Sequence, residues 1–300
     1  MTAPASARIR AGVVGHVEWV QYARVSHVPR AGEIIHARET FAGPGGGGAV
    51  AAVQLRRLAG EALFLTALGE GVDAQMAEAE LRERHGVSVH AGSRSGPQRR
   101  TFTFLDDDAE RTITVLGERI VPHAADPLPW EALGELDAIY LTGGDAGAVR
   151  ASRAARVLVA TPRAMDALAG SGVRLDVLVG SASDPGEAYV PGTLDPPPLV
   201  VVRTRGGDGG TWEVSDDAVG TRPPPVPWLV AGERGGSWRA TPLPGPPVDA
   251  YGCGDSFAAG LAYGLGAGMM LREAIDVGAR CGAAVLCGRG PYGAMLESAG

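Results

Sequence analysis

Short apolar segments alternate with helix-like segments along most of the chain. Buried strands are predicted for EALFLTALG, GVSVH, DAIYLTGG, ARVLVATP, LDVLVGSA and PLVVVRTRGG, and the last four end in small or polar residues. Helices are predicted for MAEAELRERHG and for AVAAVQLRRLAG, whose apolar residues recur at helical spacing until Gly60. Because this alternation is typical of parallel sheets, we expect an α/β fold with ligands beyond the carboxyl ends of the strands.

Two regions interrupt the alternation and predict a second, smaller sheet. The segment RRTFTFLDDDAERTITVLG places two alternating strands around a turn at residues 106–108, which predicts a β-hairpin. Residues 32–43 predict another short strand, whereas IRAGVVGHVEWVQYARV predicts a first core strand that is broken at Gly15. We expect the strands of the smaller sheet within about residues 20–43 and 99–117.

The composition is that of a soluble globular protein, because 45% of the 300 residues are hydrophobic and 20% are charged. Strand patterns continue on both sides of the proline-rich segments TRPPPVPWL and TPLPGPPVDAYG, so these are interpreted as loops within one domain over residues 1–300. No apolar stretch approaches the roughly 20 residues of a membrane span, and the first residues lack the apolar region of a signal peptide. A cytoplasmic protein is therefore expected.

The charge of the chain limits its partners. A net charge of −7 disfavours a general electrostatic attraction to nucleic acids or anionic membranes, so neither is expected as a partner. The sequence contains no Lys and no Asn, and all 27 of its basic residues are Arg. Any motif that requires Lys or Asn must therefore use a substitute.

The segment VDAYGCGDSFAAGL at residues 248–261 carries the most informative chemistry. Phe257, Leu261 and Leu265 recur every four residues, which predicts a helix that begins near Asp255. The glycines before it allow a tight turn that points successive N–H groups at one position, where the helix N-terminus adds about half a positive charge. Such a turn can bind a phosphate or a developing oxyanion without any basic side chain.

Asp255, next to this turn, has two interpretations that spacing alone leaves open. As a general base it would take a proton from an attacking hydroxyl, which typically contributes about 10²–10⁴ to a rate. As a structural residue it would cap the N-terminus of the helix, a position at which Asp is common.

The stretch DAYGCGDSFAAGLAYGL resembles the C-terminal signature of ribokinase-like carbohydrate kinases of the PfkB family, usually D-T-x-G-A-G-D-x-F, with Cys253 in place of Ala. The segment GGGGAVAAVQLRRLAG is similar to the N-terminal signature of that family. The order of elements is also similar over nearly the whole chain, including the lid hairpin that ends in ERTI at residues 110–113. The resemblance implies a ribokinase-like three-layer sandwich with a central, mostly parallel sheet and a small β-sheet lid.

The same resemblance implies an ATP-dependent phosphotransferase that phosphorylates a hydroxyl of a sugar or sugar-like small molecule. By this resemblance Asp255 would be the general base, and the anion hole for the transferring phosphoryl group would consist of Gly252, Cys253 and Gly254. RTRGGDGG resembles the family segment T-x-G-x-x-G, which implies that ATP is bound by Thr204, Arg205, Gly206 and Gly209. DPGE resembles the family element N-x-x-E, which implies a Mg²⁺ site at Glu187, with Asp184 where Asn is usual.

Substrate recognition is where the chain departs from the family pattern. Many members read G-x-x-N-x-D after the first strand, whereas Val20 stands here in the position of the Asp, and Glu18 is the candidate on the same side of the strand. The glycine loop adds the substrate-binding candidates Gly45, Gly46, Gly47 and Val50. Because Gly47 stands where Lys is common and Val50 where Asn is common, we expect a more apolar pocket and a substrate less polar than ribose or fructose.

Several alternatives stay open at this point. The chain could be a nucleoside kinase of the same fold, or a non-catalytic ligand-binding protein whose sugar site has decayed. A dinucleotide-dependent oxidoreductase is disfavoured, because neither glycine cluster gives G-x-G-x-x-G between a strand and a helix. The apolar face of GEIIHARETF leaves a homodimer through the lid open.

Overall fold

The computed structural model describes residues 8–219, 221 and 225–298. The strands within these residues are β1 (Ala11–Val14), β2 (Glu18–Arg24), β3 (Glu39–Gly45), β4 (Leu63–Glu70), β5 (Ser88–Pro97), β6 (Arg100–Leu105), β7 (Arg111–Leu116), β8 (Ala138–Leu141), β9 (Val157–Ala160), β10 (Val177–Ser181), β11 (Val200–Thr204), β12 (Gly210–Val214) and β13 (Gly235–Trp238). The α-helices are α1 (Gly47–Ala59), α2 (Val72–Ala79), α3 (Ala146–Ser152), α4 (Met165–Ala169), α5 (Asp216–Val219), α6 (Cys253–Gly266) and α7 (Leu271–Leu286). Of the helices described, none is long and apolar enough to cross a bilayer.

Nine strands form the central sheet, in the order β13-β12-β11-β10-β9-β8-β1-β4-β5. Neighbouring strands from β11 to β5 run parallel, whereas β12 pairs antiparallel with β11 and with the edge strand β13. Side chains of β1 alternate between two cores: Val13 packs with α1 and α6 on one face, and Val14 packs with α3 and α4 on the other. The predicted three-layer α/β architecture is therefore confirmed.

The lid is a second sheet of four strands in the order β3-β2-β6-β7. The predicted hairpin is confirmed as β6 and β7. The opening segment supplies a strand to each sheet, because β1 ends at Val14 and β2 begins at Glu18 in the lid. The predicted strand at residues 32–43 is wrong at its start: pairing with β2 begins at Glu39, and residues 32–38 leave the sheet, where Ile34 is 89% exposed.

The topology brings several strand ends to one place. Thr142, Thr161, Ser181 and Thr204 lie at or just beyond the carboxyl ends of β8, β9, β10 and β11, and all four border one cavity at the N-terminus of α6. The lid contributes side chains to the same cavity from β2 and β7. The site predicted beyond the carboxyl ends of the parallel strands is therefore at the edge of the central sheet that faces the lid.

Candidate active site

The glycine loop before α6 turns at Gly252, whose φ of 84° lies in the left-handed region that favours glycine. A Cβ on Gly252 would also lie 2.9 Å from Cγ1 of Val50. Helix α6 begins at Cys253, two residues before the predicted start, so Gly252 occupies the cap position and Asp255 lies within the first turn. The interpretation of Asp255 as the helix cap is therefore wrong.

Asp249 anchors the base of this loop. The amide of Tyr251 donates to Oδ1 of Asp249 at 2.8 Å, and the amide of Gly290 donates to Oδ2 at 3.0 Å. Burial raises the pKa of the Asp249 carboxyl, and the two N–H donors oppose that rise by stabilising the carboxylate. These two hydrogen bonds tie the loop to the segment after α7.

The amides at the tip of the loop are available to bind an anion. No described residue accepts a hydrogen bond from the N–H groups of Gly252, Gly254 or Asp255, and the amide of Cys253 makes only a long contact of 3.5 Å with the carbonyl of Ala250. These amides lie at the positive end of a helix of 14 residues. The tip therefore offers the free donors that a phosphate or a developing oxyanion requires.

Two cavities meet at this tip and share Gly254. The Trp238 cavity, of about 610 Å³, contains every predicted nucleotide-binding residue, namely Thr204, Arg205, Gly206 and Gly209, together with Cys253. The arginine cavity, of about 540 Å³, takes its name from its lining residues Arg99, Arg111, Arg119 and Arg163. It also contains Glu18, Gly46, Gly47, Gly252 and Asp255. Of the predicted nucleotide residues, Arg205 and Gly209 line only the Trp238 cavity, whereas Thr204 and Gly206 line both cavities.

Asp255 lies on the wall of the arginine cavity, next to the backbone of Gly47. A Cβ on Gly47 would be 2.5 Å from Oδ1 of Asp255, so the missing side chain leaves the space that the carboxylate occupies. Burial, together with the negative charge of Glu187, raises the pKa of Asp255 to about 7, although Arg111 and Arg163 oppose the rise. A carboxylate with a pKa near neutrality is suited to accept a proton from a hydroxyl.

Two predicted substrate residues do not line the arginine cavity. Val50 is fully buried and packs beneath Gly252. Gly45 is buried next to Tyr251, where a Cβ would lie 2.6 Å from the tyrosine hydroxyl. Because both positions face the interior, they support the backbone of the two glycine loops and do not contact the cavity.

Glu18 lines the arginine cavity but is held by protein groups on both carboxylate oxygens. The Tyr251 hydroxyl donates to Oε1 at 3.2 Å and itself accepts a hydrogen bond from the amide of Gly46 at 2.9 Å. Nε of Arg99 lies 3.0 Å from Oε2 in an ion pair. Burial raises the pKa of Glu18, and the charge of Arg99 opposes that rise. Tyr251 was not among the predicted site residues, although it lies inside the C-terminal signature.

The prediction of an apolar pocket is wrong. The arginine cavity is lined by four arginines and by the carboxylates of Glu18, Asp184, Glu187 and Asp255. Arg163 comes shortly after β9, so the rule that ligands lie beyond the carboxyl ends of parallel strands could have found it. Arg99 and Arg119 flank the lid hairpin, outside both glycine signatures, and no local pattern marks them.

The two predicted metal ligands lie together at the border between the cavities. Arg163 forms ion pairs with Asp184 and, at 3.1 Å, with Glu187, and the amide of Ser181 donates to Glu187 Oε2 at 2.7 Å. Among the residues that the structure describes, no group of three or more His, Cys, Asp or Glu side chains could hold a metal. Mg²⁺ commonly takes one or two carboxylates and completes its shell with phosphates and waters, so this pair fits an ion that arrives with a nucleotide.

Comparisons with known proteins give the family of the chain. The family model described as pfkB family carbohydrate kinase matches residues 10–172 and 228–298, which together are more than half of the chain. A comparison with curated proteins gives no match.

Solved kinase structures have a similar fold. Ribokinase from Giardia lamblia superimposes with a TM-score of 0.76 at 14% sequence identity, with 96% of each chain covered. Ribokinase from Arabidopsis thaliana, complexed with ribose and ATP, gives 0.71 at 18% identity, again with 96% of each chain covered. Adenosine kinase from Sinorhizobium meliloti gives 0.69 at 16% identity and covers 95% of this chain and 96% of its own. Because these sequence identities lie between 14% and 18%, the structural similarity establishes the fold alone.

Proposed function

The chain belongs to the pfkB family of carbohydrate kinases, and on this premise we propose that it transfers the γ-phosphoryl group of ATP to a hydroxyl of a small molecule. One observation carries the proposal. The carboxylate of Asp255, with a pKa of about 7, lies beside unpaired amides at the point where two cavities meet. A base and an anion site next to each other are what phosphoryl transfer to an alcohol requires.

Asp255 and the amides of the loop have different roles in the transfer. Asp255 takes the proton of the acceptor hydroxyl, and the oxygen attacks the γ-phosphorus while its bond to the β–γ bridging oxygen breaks, so ADP leaves with that electron pair. The amides of Gly252, Gly254 and Asp255 hold the charge on the phosphoryl oxygens. Burial raises the pKa of the Cys253 thiol to about 12, so Cys253 contributes a small neutral side chain at this position.

ATP is assigned to the Trp238 cavity. Trp238 stacks on Phe257 with ring centroids 5.7 Å apart, which gives this cavity an aromatic wall for a base. Arg205 also lines this cavity, is exposed and forms no ion pair with any described residue, so its charge is free for a phosphate. When bound, Mg²⁺ would neutralise phosphate charge, with Glu187 and Asp184 beside it.

The lid is suited to exclude water from the acceptor. Ile113 and Val115 of β7 are 40% and 47% exposed and line the arginine cavity. We expect closure of the lid over a bound acceptor to bury these two side chains, which limits wasteful transfer of the phosphoryl group to water.

The proposed function is tested by incubating the protein with ATP, Mg²⁺ and a pool of small hydroxylated metabolites. The expected result is ADP together with a phosphorylated product that mass spectrometry identifies. Nucleosides belong in the pool, because a product from a nucleoside alone would favour the nucleoside kinase alternative. A protein that binds ATP but forms ADP with no member of the pool would instead match the non-catalytic alternative.

Activity is expected to fall under mildly acidic conditions. Below about pH 7 the Asp255 carboxyl becomes protonated and cannot accept a proton, so kcat/KM should decline by about tenfold per pH unit. Because Glu187 contributes to the raised pKa, Glu187→Gln should move this acid limb to lower pH. The shift is measured by comparing the pH profile of kcat/KM for Glu187→Gln with that of the unmodified protein. Protonation of ATP affects both profiles equally and does not contribute to the shift. Superimposable acid limbs would contradict the effect of Glu187 on Asp255, and activity that does not fall below about pH 7 in either protein would contradict the assignment of Asp255 as the base.

A further inference from the structure

Three arginines form the boundary between the arginine cavity and a neighbouring space. This side cavity, of about 500 Å³, is lined on its far wall by Gly143, Gly144, Met165 and Asp166. The residues that it shares with the arginine cavity are Arg99, Arg119 and Arg163. None of the three lines the Trp238 cavity. They therefore lie on the acceptor side of Asp255, away from the proposed nucleotide.

The charges of these arginines are unequally compensated. Arg99 pairs with Glu18, and Arg163 pairs with Asp184 and Glu187. Arg119 has no carboxylate partner among the described residues, and its Nη1 donates to the backbone carbonyl of Arg163 at 2.7 Å. Of the three arginines, Arg119 is thus the one whose guanidinium contacts no described carboxylate.

Arg119 also lies in an environment that disfavours its charge. Burial lowers the pKa of its guanidinium, and the positive charges of Arg99 and Arg163 lower it further, although the carboxylates of Glu18 and Asp255 oppose the fall. His16 lines the same cavity and cannot offset the charge of Arg119, because its imidazole is neutral: burial and the charge of Arg119 lower its pKa well below the usual value. An anion at this wall would relieve the repulsion, and the guanidinium fork matches carboxylate and phosphate oxygens.

We propose that the acceptor carries a carboxylate or phosphate group, remote from the hydroxyl that is phosphorylated, and that this group docks on Arg119 between Arg99 and Arg163. This inference rests on the proposed function, since it names the acceptor class of that site. The phosphates of ATP do not serve as the anion, because they reach Asp255 from the Trp238 cavity, which Arg99 and Arg119 do not line. The side cavity provides room for the remote end of the acceptor.

The experiment compares anionic probes with neutral probes of the same framework. Glucose 6-phosphate and glucuronate are compared with glucose, and ribose 5-phosphate with ribose, by calorimetry in the presence of Mg²⁺ and a non-hydrolysable ATP analogue. The phosphate and carboxylate probes distinguish the two sources of the anion. At least one anionic probe is expected to bind about tenfold or more tightly than its neutral counterpart, as a charge-assisted hydrogen bond provides.

Variants of Arg119 connect this preference to the cluster. Arg119→Gln is expected to weaken binding of the anionic probe by about tenfold or more and to leave the neutral probes unchanged, whereas Arg119→Lys should retain part of the preference. Arg150→Gln is the matched control, because Arg150 lies exposed on α3 and lines none of the three cavities. Thermal unfolding of each variant confirms that it is folded.

Equal affinities within each pair, or no binding by any anionic probe, would overturn the inference. A loss in Arg119→Gln that is the same for neutral and anionic probes would overturn it as well. Failure of this inference can be distinguished from failure of the proposed function. If an Arg119-dependent preference for an anion is measured but ADP forms with no probe, the anion site stands and the kinase activity is what fails.

Discussion

Asp255→Asn is expected to lower kcat by about 10²–10⁴, because the amide keeps the shape of the side chain but cannot accept the hydroxyl proton. Nucleotide binding should change little, since Asp255 lines the arginine cavity and not the Trp238 cavity. Steady-state kinetics with the acceptor found in the metabolite assay measure kcat, and calorimetry with ADP measures nucleotide affinity. The free amides of the loop remain in this variant, so residual transfer above the uncatalysed rate is expected.

Asp276→Asn is the matched control for this prediction. Asp276 is exposed on α7 and lines neither cavity, so the same change of charge there should leave kcat unchanged. If Asp255→Asn retained the turnover of the unmodified protein, Asp255 would not be the general base.

Gly47→Ala is expected to reduce kcat by about 10²-fold, a loss that a misplacement of about 1 Å can cause at a reacting group. The added Cβ would lie 2.5 Å from Oδ1 of Asp255, so the carboxylate must shift from its position. The fold should tolerate the change, because Gly47 is the first residue of α1 and its φ is not in the left-handed region. Steady-state kinetics measure the loss of kcat, and thermal unfolding shows whether the stability of the fold is retained.

Gly134→Ala serves as the comparison for Gly47→Ala. A Cβ on Gly134 would lie 3.9 Å from the Cβ of Ala154, an ordinary contact far from both cavities, so activity and stability should be retained. Normal turnover in Gly47→Ala would show that the space beside Asp255 does not control the position of its carboxylate.

The parts of the fold that could be predicted are those that local patterns determine. The apolar segments that became β8 to β11 are buried on both faces of the sheet, so their hydrophobicity was continuous and easily recognised. The loop before α6 was recognisable because Gly252 and Gly254 lie next to an acidic residue and a helical pattern. Residues 32–38 misled the prediction because their alternating apolar side chains face no core, as the exposure of Ile34 shows.

The polarity of the arginine cavity could not be predicted for a different reason. Arg99 and Arg163 are far apart in the sequence and meet through the docking of the lid on the central sheet, which no local pattern encodes. The two substitutions at Gly47 and Val50 suggested an apolar pocket, but Val50 points away from the cavity and packs beneath Gly252. The substitutions at signature positions therefore indicated which polar side chains are missing, but gave no information on which side chains line the cavity instead.

A crystal structure with Mg²⁺, ADP and aluminium fluoride tests whether the loop amides and Asp255 act on the transferring group, because the metal fluoride imitates the phosphoryl group during transfer. We expect fluoride atoms within about 2.7–3.1 Å of the backbone nitrogens of Gly254 and Asp255, with the Asp255 carboxylate on the side opposite ADP. A metal fluoride bound away from this loop, or an Asp255 carboxylate on the same side as ADP, would contradict it.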